Sequence, residues 1–249
     1  MARRRFFVDS VRGGRAELKG EAAEHLRRVL RAEPGQRYEL SDNQFVYLAE
    51  IEGFRKDAVS FRVLERLPSE APAVRLVLLA SLIKFDRFEW IVEKATELGV
   101  ETLIPVVAAR SERGLERAAA KRLERWRKIA LESSQQARRT RLPEICPSVS
   151  FEDALLAGGL HRYLLEEERG APALASALEG VDRKASSDVV SLLAGPEGGW
   201  TAEERREATA RGWQPVSLGP WVLRSETAVI AALAILGNAW YACVRVRHQ

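Results

Sequence analysis

The sequence predicts an α/β fold, in which a small β-barrel-like domain precedes a domain built on a mostly parallel sheet. Three observations lead to this prediction. Residues 1–70 contain short segments of alternating apolar and polar residues, residues 67–72 contain two prolines without periodicity, and the rest of the chain repeats an apolar segment followed by a helical one. Alternation is typical of half-buried strands, and the repeat is typical of parallel strands joined by helical crossovers. We therefore expect two domains, residues 1–70 and residues 73–249.

Short strands dominate the first domain. The alternation predicts strands at residues 5–8, 38–40, 45–51 and 58–64, with one helix around residues 22–30. Residues 67–72 are the expected linker, because proline fixes its own φ, donates no backbone hydrogen bond and disfavours helix in the residue before it.

Five apolar segments are predicted to form the sheet of the second domain. They lie at residues 74–83, 102–108, 163–165, 189–194 and 216–218. The first is almost continuously apolar, as expected of a strand buried on both faces. Open parallel sheets bind ligands beyond the carboxyl ends of their strands, so the loops after these strands are where a functional site is expected.

Two helices between these strands have clear signals. Asp86, with Glu89 three residues later, predicts the capped start of a helix that Gly99 closes. The buried face of this helix is expected to consist of Phe88, Ile91, Val92, Ala95 and Leu98. A longer, arginine-rich helix is expected from about Leu115 until Pro143 ends it.

Composition limits the class of protein. The chain has 249 residues, 46% of them hydrophobic, and a net charge of +4. It contains no run of about 18 consecutive apolar residues of the kind that a membrane helix needs, so we expect a cytoplasmic protein. Cys146 and Cys243 lie far apart with no second ligand at metal-binding spacing, so neither a metal site nor a disulfide is expected.

Positive charge is concentrated in one stretch. Between Arg110 and Arg141 there are 11 Lys and Arg residues against 4 Glu, a local net charge of +7. Such a stretch can hold a phosphate backbone. For any single residue in it, a solvated helix face is the commoner explanation.

A glycine-rich loop follows the predicted strand at residues 189–194. Residues 195–199 read Gly-Pro-Glu-Gly-Gly, and Thr201 with Glu204 predicts a capping box for the next helix. Glycine lets the backbone approach a ligand closely, and the free amides at a helix start can bind an anion. Because GxGxxG and GxxxxGK[ST] are both absent, the loop favours a nucleotide-like cofactor other than NAD or ATP.

A second loop, residues 218–228, leads into a helix that is apolar on all sides. Arg224 and Glu226 place a cation and a carboxylate two residues apart at its start. They either belong to a site, or are a helix-start glutamate favoured by the macrodipole and an arginine paired with a neighbouring acid. The apolar helix, residues 229–236, is expected to be buried in the core or against a partner subunit.

Four segments together resemble the RsmE family of ribosomal RNA uridine-N3 methyltransferases. They are residues 90–100 (WIVEKATELGV), residues 105–111, residues 195–199 (GPEGG) and residues 218–228 (LGPWVLRSETA). The N-terminal Arg4-Arg5-Phe6-Phe7 and His25-Leu26 with Val29-Leu30-Arg31 fit as well, so the likeness spans nearly the whole chain.

The resemblance implies a fold, a cofactor and a substrate. It implies a PUA-like RNA-binding domain at residues 1–70 and a SPOUT domain with a trefoil knot at residues 73–249. It also implies a homodimer, S-adenosyl-L-methionine as the cofactor, and a uridine of 16S ribosomal RNA in the decoding region of the small subunit as the substrate.

The cofactor contacts follow from the same resemblance, whereas the catalytic and most of the RNA-binding candidates follow from the chemistry of the reaction and from positive charge. The cofactor contacts are Leu165, Gly195, Pro196, Gly198, Gly199, Leu218, Gly219, Leu223 and Thr227. The catalytic candidates are Arg224 for holding the uracil oxygens, Glu226 for orienting Arg224, and Glu197 as an alternative base. The RNA-binding candidates are Arg3, Arg4, Arg5, Arg27, Arg28, Gln136 and Arg139.

The sequence departs from the family pattern at three places, one of which is the hairpin at residues 42–44 (Asp-Asn-Gln), where the usual glycine is missing. Residues 135–139 read Gln-Gln-Ala-Arg-Arg where the family has Glu-Gln-Ser-x-Arg, and Ser225 replaces the more usual threonine. The alternatives are a SPOUT enzyme with another target, such as a ribose 2′-hydroxyl or a guanine nitrogen, and a non-catalytic RNA-binding assembly factor. A dinucleotide oxidoreductase is the remaining α/β option, and its glycine fingerprint is missing.

Overall fold

The computed structural model describes residues 4–69, 71–168, 170–184 and 187–246, with side chains up to Cys243. The chain divides into two compact units. The first consists of the described residues up to 69 together with Leu131–Leu142, and the second of Ala71–Ala130 and the described residues from Pro143 onwards. Leu131–Leu142, which the sequence analysis placed in the second domain, therefore belongs with the first unit.

Six strands form the sheet of the first unit. They are β1 (Arg5–Phe7), β2 (Val11–Arg12), β3 (Arg15–Lys19), β4 (Arg37–Ser41), β5 (Val46–Phe54) and β6 (Ala58–Leu67), in the order β1-β4-β5-β6-β3-β2. Only β1 and β4 pair in parallel. The four predicted strands are confirmed, whereas β2 and β3 are new. Strand β3 does alternate, with Ala16 and Leu18 buried between exposed polar residues, but it contains only these two apolar residues, and the sequence analysis missed it.

The helical stretch predicted around residues 22–30 is split in two. Helix α1 (Gly20–Glu24) continues into a π-helical turn, His25–Val29. Leu26 on this turn packs with Phe6, Leu40 and Phe61 in the core of the unit.

Hydrogen bonds explain why Leu131–Leu142 joins the first unit. Glu39, buried on β4, binds the guanidinium of Arg5 (Nη2–Oε2 2.8 Å) and also pairs with Arg138. Asn43 accepts a hydrogen bond from the backbone amide of Leu142 at 2.9 Å. A buried carboxylate with two cations is a strong local anchor, because removing either cation leaves charge without a partner.

The second unit contains a seven-stranded, fully parallel sheet. Its strands are β7 (Arg75–Ser81), β8 (Val100–Val107), β9 (Glu144–Ile145), β10 (Val149–Ser150), β11 (His161–Leu165), β12 (Val189–Ala194) and β13 (Gln214–Val216). The order is β10-β8-β7-β12-β11-β13, with β9 also pairing with β8. The predicted α/β fold and four of its five strands are confirmed, whereas the fifth, β13, lies two residues earlier than predicted and shares only Val216 with residues 216–218. The two-residue strands β9 and β10 are too short to leave a periodic signal in the sequence.

Helices cover both faces of this sheet. They are α2 (Phe85–Glu97), α3 (Leu115–Gln136), α4 (Phe151–Leu156), α5 (Leu174–Ala177), α6 (Ala202–Ala210) and α7 (Ser225–Val246). Helices α2, α3, α5 and α7 pack with the strand residues around Leu78, while α4 and α6 pack with those around Leu79. Neighbouring residues of β7 thus serve opposite cores, which explains the continuous apolar run in the sequence.

Two of the predicted helix signals are wrong, the cap at Asp86 and the end of the long helix at Pro143. Helix α3 already ends at Gln136, and Arg138 follows with a φ of 55°. The predictions for the buried face and the end of α2 hold better. Phe88, Ile91, Val92 and Ala95 are buried, and Gly99 ends the helix with a φ of 90°. The predicted cap at Asp86 is wrong, because α2 begins at Phe85 after Lys84, which makes no side-chain cap. Asp86 instead lies in the first turn, where its charge interacts favourably with the helix dipole.

Helix α7 is buried along one face only. Val229, Ala232, Leu233, Leu236 and Trp240 are buried, whereas Ala234, Asn238 and Tyr241 are exposed. Within the part of the chain that the structure describes, its Ser225–Cys243 segment is long and apolar enough to cross a membrane by length and composition. Its inner face nevertheless packs against α2, β7 and β12, as a core helix does.

Candidate active site

A cavity lies at the carboxyl ends of β11, β12 and β13. Its volume is about 150 Å³, and it is partly open to solvent. Three loops line it, residues 165–167, residues 194–200 except Gly198, and residues 218–225, together with Ala228 of α7. The cavity is therefore where an open parallel sheet is expected to bind a ligand.

The glycine loop forms one wall, and a side chain would be crowded at two of its positions. A Cβ on Gly195 would lie 3.0 Å from the Trp200 ring, and one on Gly199 would collide with the Glu167 carboxylate. Gly199 also has a φ of 66°, which side-chain-bearing residues rarely adopt. The Trp200 ring is itself held by a 2.9 Å hydrogen bond from its Nε1 to the carbonyl oxygen of Leu165. At both positions a side chain would press against a residue that lines the cavity.

Two contacts brace this loop against its neighbours. Arg110, after β8, donates to the carbonyl oxygen of Gly198 at 2.8 Å and to that of Trp200 at 3.3 Å. The predicted capping box of Thr201 and Glu204 is confirmed, and the second oxygen of Glu204 accepts from the Ala109 amide at 2.8 Å. The sequence analysis did not predict that Arg110 holds this loop.

The loop after β11 is fixed to α6 by an ion pair. Arg205 Nε donates to Glu166 Oε2 at 2.6 Å, and both side chains are largely buried. The Glu166 carboxylate raises the pKa of Arg205 further above its usual value. Glu166 and Glu167 both line the cavity, and sequence reasoning missed them because no motif marks them.

Most of the expected cofactor contacts line this one cavity. Those on its lining are Leu165, Gly195, Pro196, Gly199, Leu218, Gly219 and Leu223. Gly198 and Thr227 are outside the lining. Gly198 lies against Arg110, and Thr227 is exposed in the first turn of α7.

Two of the candidate catalytic residues, Glu197 and Glu226, lie beside Arg87, which the sequence analysis did not assign to the site. Arg224 and Glu197 line the cavity, and Arg224 is exposed. Glu226 is buried and faces Arg87 of α2, whose Nε lies 4.0 Å from Glu226 Oε1. Arg87 also forms an ion pair with Glu197. These three residues are so distant in sequence that spacing cannot connect them.

The expected pairing of Glu226 with Arg224 is not present among the described residues. Glu226 instead pairs with Arg87. In the first turn of α7, Ser225 and Ala228 line the cavity, whereas Glu226 points towards α2. The Oε2 atom of Glu226 is buried and has no hydrogen-bond partner in the described residues.

The RNA-binding candidates in the first unit differ in exposure. Arg4, Arg27, Arg28 and Gln136 are exposed, Arg139 is half-buried, and Arg3 lies outside the described residues. Arg5 is buried, and it donates hydrogen bonds to the Glu39 carboxylate and to the carbonyl oxygen of Arg138. Its guanidinium holds Leu131–Leu142, and each of its three nitrogens already donates to these partners, so the prediction that Arg5 binds RNA is wrong.

Metal-ligating side chains do not cluster in the described residues. No group of three or more His, Cys, Asp and Glu side chains there could hold a metal ion. Cys146 and Cys243 are free thiols, and burial raises the pKa of Cys146.

The fold and the cavity together define a class of protein. A three-layer α/β unit has a pocket built by the loops after its last three strands and the start of its last helix, and a small β unit accompanies it. This is the arrangement of the SPOUT methyltransferases, an α/β trefoil-knot domain with a mostly parallel sheet preceded by a PUA-like domain.

Comparison with known families gives the same class. The model of the RNA methyltransferase domain matches residues 69–237, and that of the RNA methyltransferase PUA domain matches residues 18–64. The chain therefore belongs to this family of RNA methyltransferases.

Individual relatives match over nearly full length. Ribosomal RNA small subunit methyltransferase E of Aquifex aeolicus is 30% identical over 94% of this chain and 98% of its own, and that of Bacillus subtilis is 33% identical over 88% of each. The crystal structure of the Neisseria gonorrhoeae enzyme of that name, bound to S-adenosyl methionine, has 28% identity and a TM-score of 0.84 over 96% of this chain and 98% of its own. A Legionella pneumophila methyltransferase with bound cofactor matches at 29% identity and a TM-score of 0.83, over the same shares.

Proposed function

We propose that this protein transfers a methyl group from S-adenosyl-L-methionine to N3 of one uridine of 16S ribosomal RNA, in the decoding region of the small subunit, giving 3-methyluridine. The observation that carries the proposal is a single cavity whose glycine wall suits the cofactor and whose rim holds Arg224 and Glu197. Relatives named for the small subunit over nearly the full chain length support the choice of substrate. Ribosomal subunits are modified in the cytoplasm, which is where we place the protein.

The residues of the cavity fit the cofactor. Leu165, Leu218 and Leu223 offer apolar contacts for an adenine ring, and the backbone at Gly195 and Gly199 can approach closely because a Cβ there would meet protein atoms. When bound, S-adenosyl-L-methionine supplies a methyl group activated on a sulfonium. The protein must therefore supply alignment, removal of the N3 proton and stabilisation of the charge on uracil.

Glu197 is the cavity carboxylate that we assign to the N3 proton. It lines the cavity, whereas Glu226 does not. Loss of the proton leaves negative charge on the two uracil oxygens. Arg224 is exposed on the same lining and can donate to those oxygens, which stabilises the charge that develops during transfer.

Arg87 and Glu226 form the layer behind these groups. Arg87 binds Glu197 and approaches Glu226, so one guanidinium fixes the loop after β12 against the start of α7. We assign Glu226 to positioning Arg87, in place of orienting Arg224. The pair keeps the Glu197 carboxylate turned in a fixed direction before RNA binds.

The RNA has to be held while the target base leaves its stack. Unstacking costs a few kcal/mol, which contacts to the phosphate backbone can offset. Arg4, Arg27, Arg28, Gln136 and Arg139 are the candidates for those contacts, and all five belong to the first unit. Arg28 is already paired with Glu24 at 2.9 Å and would exchange that partner for phosphate.

The open face of α7 supports a homodimer. Pro72, Leu98, Ala234, Gly237 and Tyr241 line an apolar groove between α7, the end of α2 and the start of β7. An exposed apolar groove of this kind is commonly covered in the working protein. Light scattering coupled to size-exclusion chromatography should give twice the chain mass, and Ala234→Glu should give the monomer. A monomeric wild type would contradict this part of the proposal.

The proposed reaction is tested with labelled S-adenosylmethionine and small ribosomal subunits that lack their native methylations. Nucleosides of the digested RNA are separated by mass spectrometry. Appearance of 3-methyluridine supports the proposal. A methylated guanosine or 2′-O-methyl nucleoside would move the protein to another target, and cofactor binding without transfer would mean that these subunits are the wrong substrate. Absence of cofactor binding would favour an assembly factor.

A further inference from the structure

Two large apolar side chains stand exposed at the rim of the cavity. Trp221 is 81% exposed and Val222 is 76% exposed, and both line the pocket. Four of the six tryptophans are almost completely buried, namely Trp126, Trp200, Trp213 and Trp240. An exposed indole at a ligand entrance is a feature that folding alone does not explain.

The backbone holds Trp221 in a defined place. Gly219 has a φ of 119°, which residues with a Cβ rarely adopt, and Pro220 fixes the next φ. Leu223 lines the cavity, and Ser225 begins α7 directly afterwards. The turn that carries Trp221 therefore lies between β13 and α7, and its backbone conformation is restricted by Gly219 and Pro220.

We propose that Trp221 is the stacking platform for the target uracil after it has left its own stack in the RNA. This inference rests on the proposed function and adds the residue that receives the base. A uracil outside its stack loses contact on both faces, and an exposed indole offers one flat apolar face in return. Arg224, three residues further on the same rim, supplies the cation for the uracil oxygens.

The position of Trp221 favours RNA over a protein partner. The methyl acceptor has to reach the cavity past its rim, so a protein docked on Trp221 and Val222 would compete with the substrate for the entrance. The groove assigned to the homodimer is lined by other residues, around the start of β7 and the middle of α7. The indole is therefore available to the base.

Three variants of the full-length protein test this inference. Trp221→Ala removes the platform, Trp221→Phe keeps a smaller aromatic face, and Trp90→Ala is the matched control, because Trp90 is 46% exposed and lies outside the cavity lining. We expect Trp221→Ala to raise the KM for small subunits about tenfold, as loss of one base-stacking contact predicts. Affinity for S-adenosylmethionine without RNA should stay unchanged, and Trp221→Phe should recover most of the loss.

A spectroscopic signal separates stacking from a structural role. RNA binding should quench part of the wild-type tryptophan fluorescence, Trp221→Phe should lose that part, and Trp90→Ala should keep it. A KM for Trp221→Ala equal to that of Trp90→Ala, a loss of cofactor affinity, or conversion of a dimer to a monomer would each overturn the inference. If the wild type instead methylates another nucleoside, the proposed reaction fails, while RNA affinity and quenching still decide the role of Trp221.

Discussion

At the scale of single residues, the site depends on where two cations lie. Arg224 is exposed on the lining of the cavity, whereas Arg87 is partly buried between Glu197 and Glu226. Arg224 can therefore reach a substrate. Arg87 cannot move towards a substrate without breaking its contacts with the two carboxylates. We therefore expect the two arginines to respond differently to substitution.

Replacing Arg224 should affect turnover and leave stability unchanged. Arg224→Ala is expected to lower kcat roughly 10²- to 10³-fold, as loss of one charge-stabilising donor does. Affinity for S-adenosylmethionine, measured by calorimetry, should stay near that of the wild type. Arg206→Ala is the matched control, because Arg206 is an exposed arginine of α6 outside the cavity. Full turnover by Arg224→Ala would exclude the proposed charge stabilisation.

Replacing Arg87 should affect both stability and turnover. Arg87→Ala leaves Glu226 buried without its cation, which we expect to lower the free energy of unfolding by about 1–3 kcal/mol. Denaturant unfolding measures this loss. The double variant Arg87→Ala with Glu226→Gln should regain most of the stability and remain slow, because Glu197 is still unsupported. Equal stability of the single and double variants would show that the two charges do not interact.

At the scale of elements, loops after the parallel strands build the cavity and neighbouring elements brace them. Arg110 holds the glycine loop from the end of β8, and Arg205 holds the loop after β11 from α6. Each brace uses a guanidinium, which reaches several acceptors in a fixed geometry. At Gly195 and Gly199 the wall of the cavity can then consist of backbone alone.

The glycine wall predicts a separable effect on cofactor binding. Gly199→Ala places a methyl group against Glu167 at a positive φ, so affinity for S-adenosylmethionine should fall at least about tenfold. Gly212→Ala is the control, because Gly212 also has a positive φ, has open space around its Cβ position and lies outside the cavity. Both variants should lose about 1 kcal/mol of stability from backbone strain. Similar cofactor affinities for the two variants would contradict the close approach at Gly199.

At the scale of the whole molecule, a buried acid ties α7 to the sheet. Asp188, just before β12, accepts a 2.9 Å hydrogen bond from Trp240 Nε1 and lies 3.5 Å from His161 Nε2. Burial favours the protonated acid, but hydrogen bonds from Trp240 and from the backbone of Lys184 outweigh it, so the pKa of Asp188 is lowered. Helix α7 thus depends on a carboxylate that must stay ionised.

This arrangement predicts an acid-dependent loss of stability. The pKa of Asp188 is lowered in the folded state, so its contribution is complete above the usual value of 3.8 and is lost as the pH falls through the lowered pKa. Thermal unfolding of Asp188→Asn between pH 6 and pH 2 should therefore show a lower Tm than the wild type at pH 6, and a gap that closes towards pH 2. Asp182→Asn, at an exposed acid on the same loop, is the control. A constant gap would exclude ionised Asp188 as the cause.

The sequence by itself determined the α/β class, four of the parallel strands, the two loops at the carboxyl ends of the strands and the family resemblance. These features depend on local periodicity and on short motifs, which are written in consecutive residues. Gly195 and Gly199 could be predicted in the same way, because glycine in a loop after a strand is recognisable from the sequence alone.

The tertiary structure alone decided which side chains meet. Arg87 lies between Glu197 and Glu226, Arg5 is directed inwards by Glu39, and Leu131–Leu142 joins the first unit. Each of these contacts joins residues that are at least 34 positions apart, as Arg5 and Glu39 are, and no periodic pattern records such a pairing. The charges of the site were visible in the sequence, but their partners depend on how the strands are ordered in the sheets, and that order is a property of the folded chain.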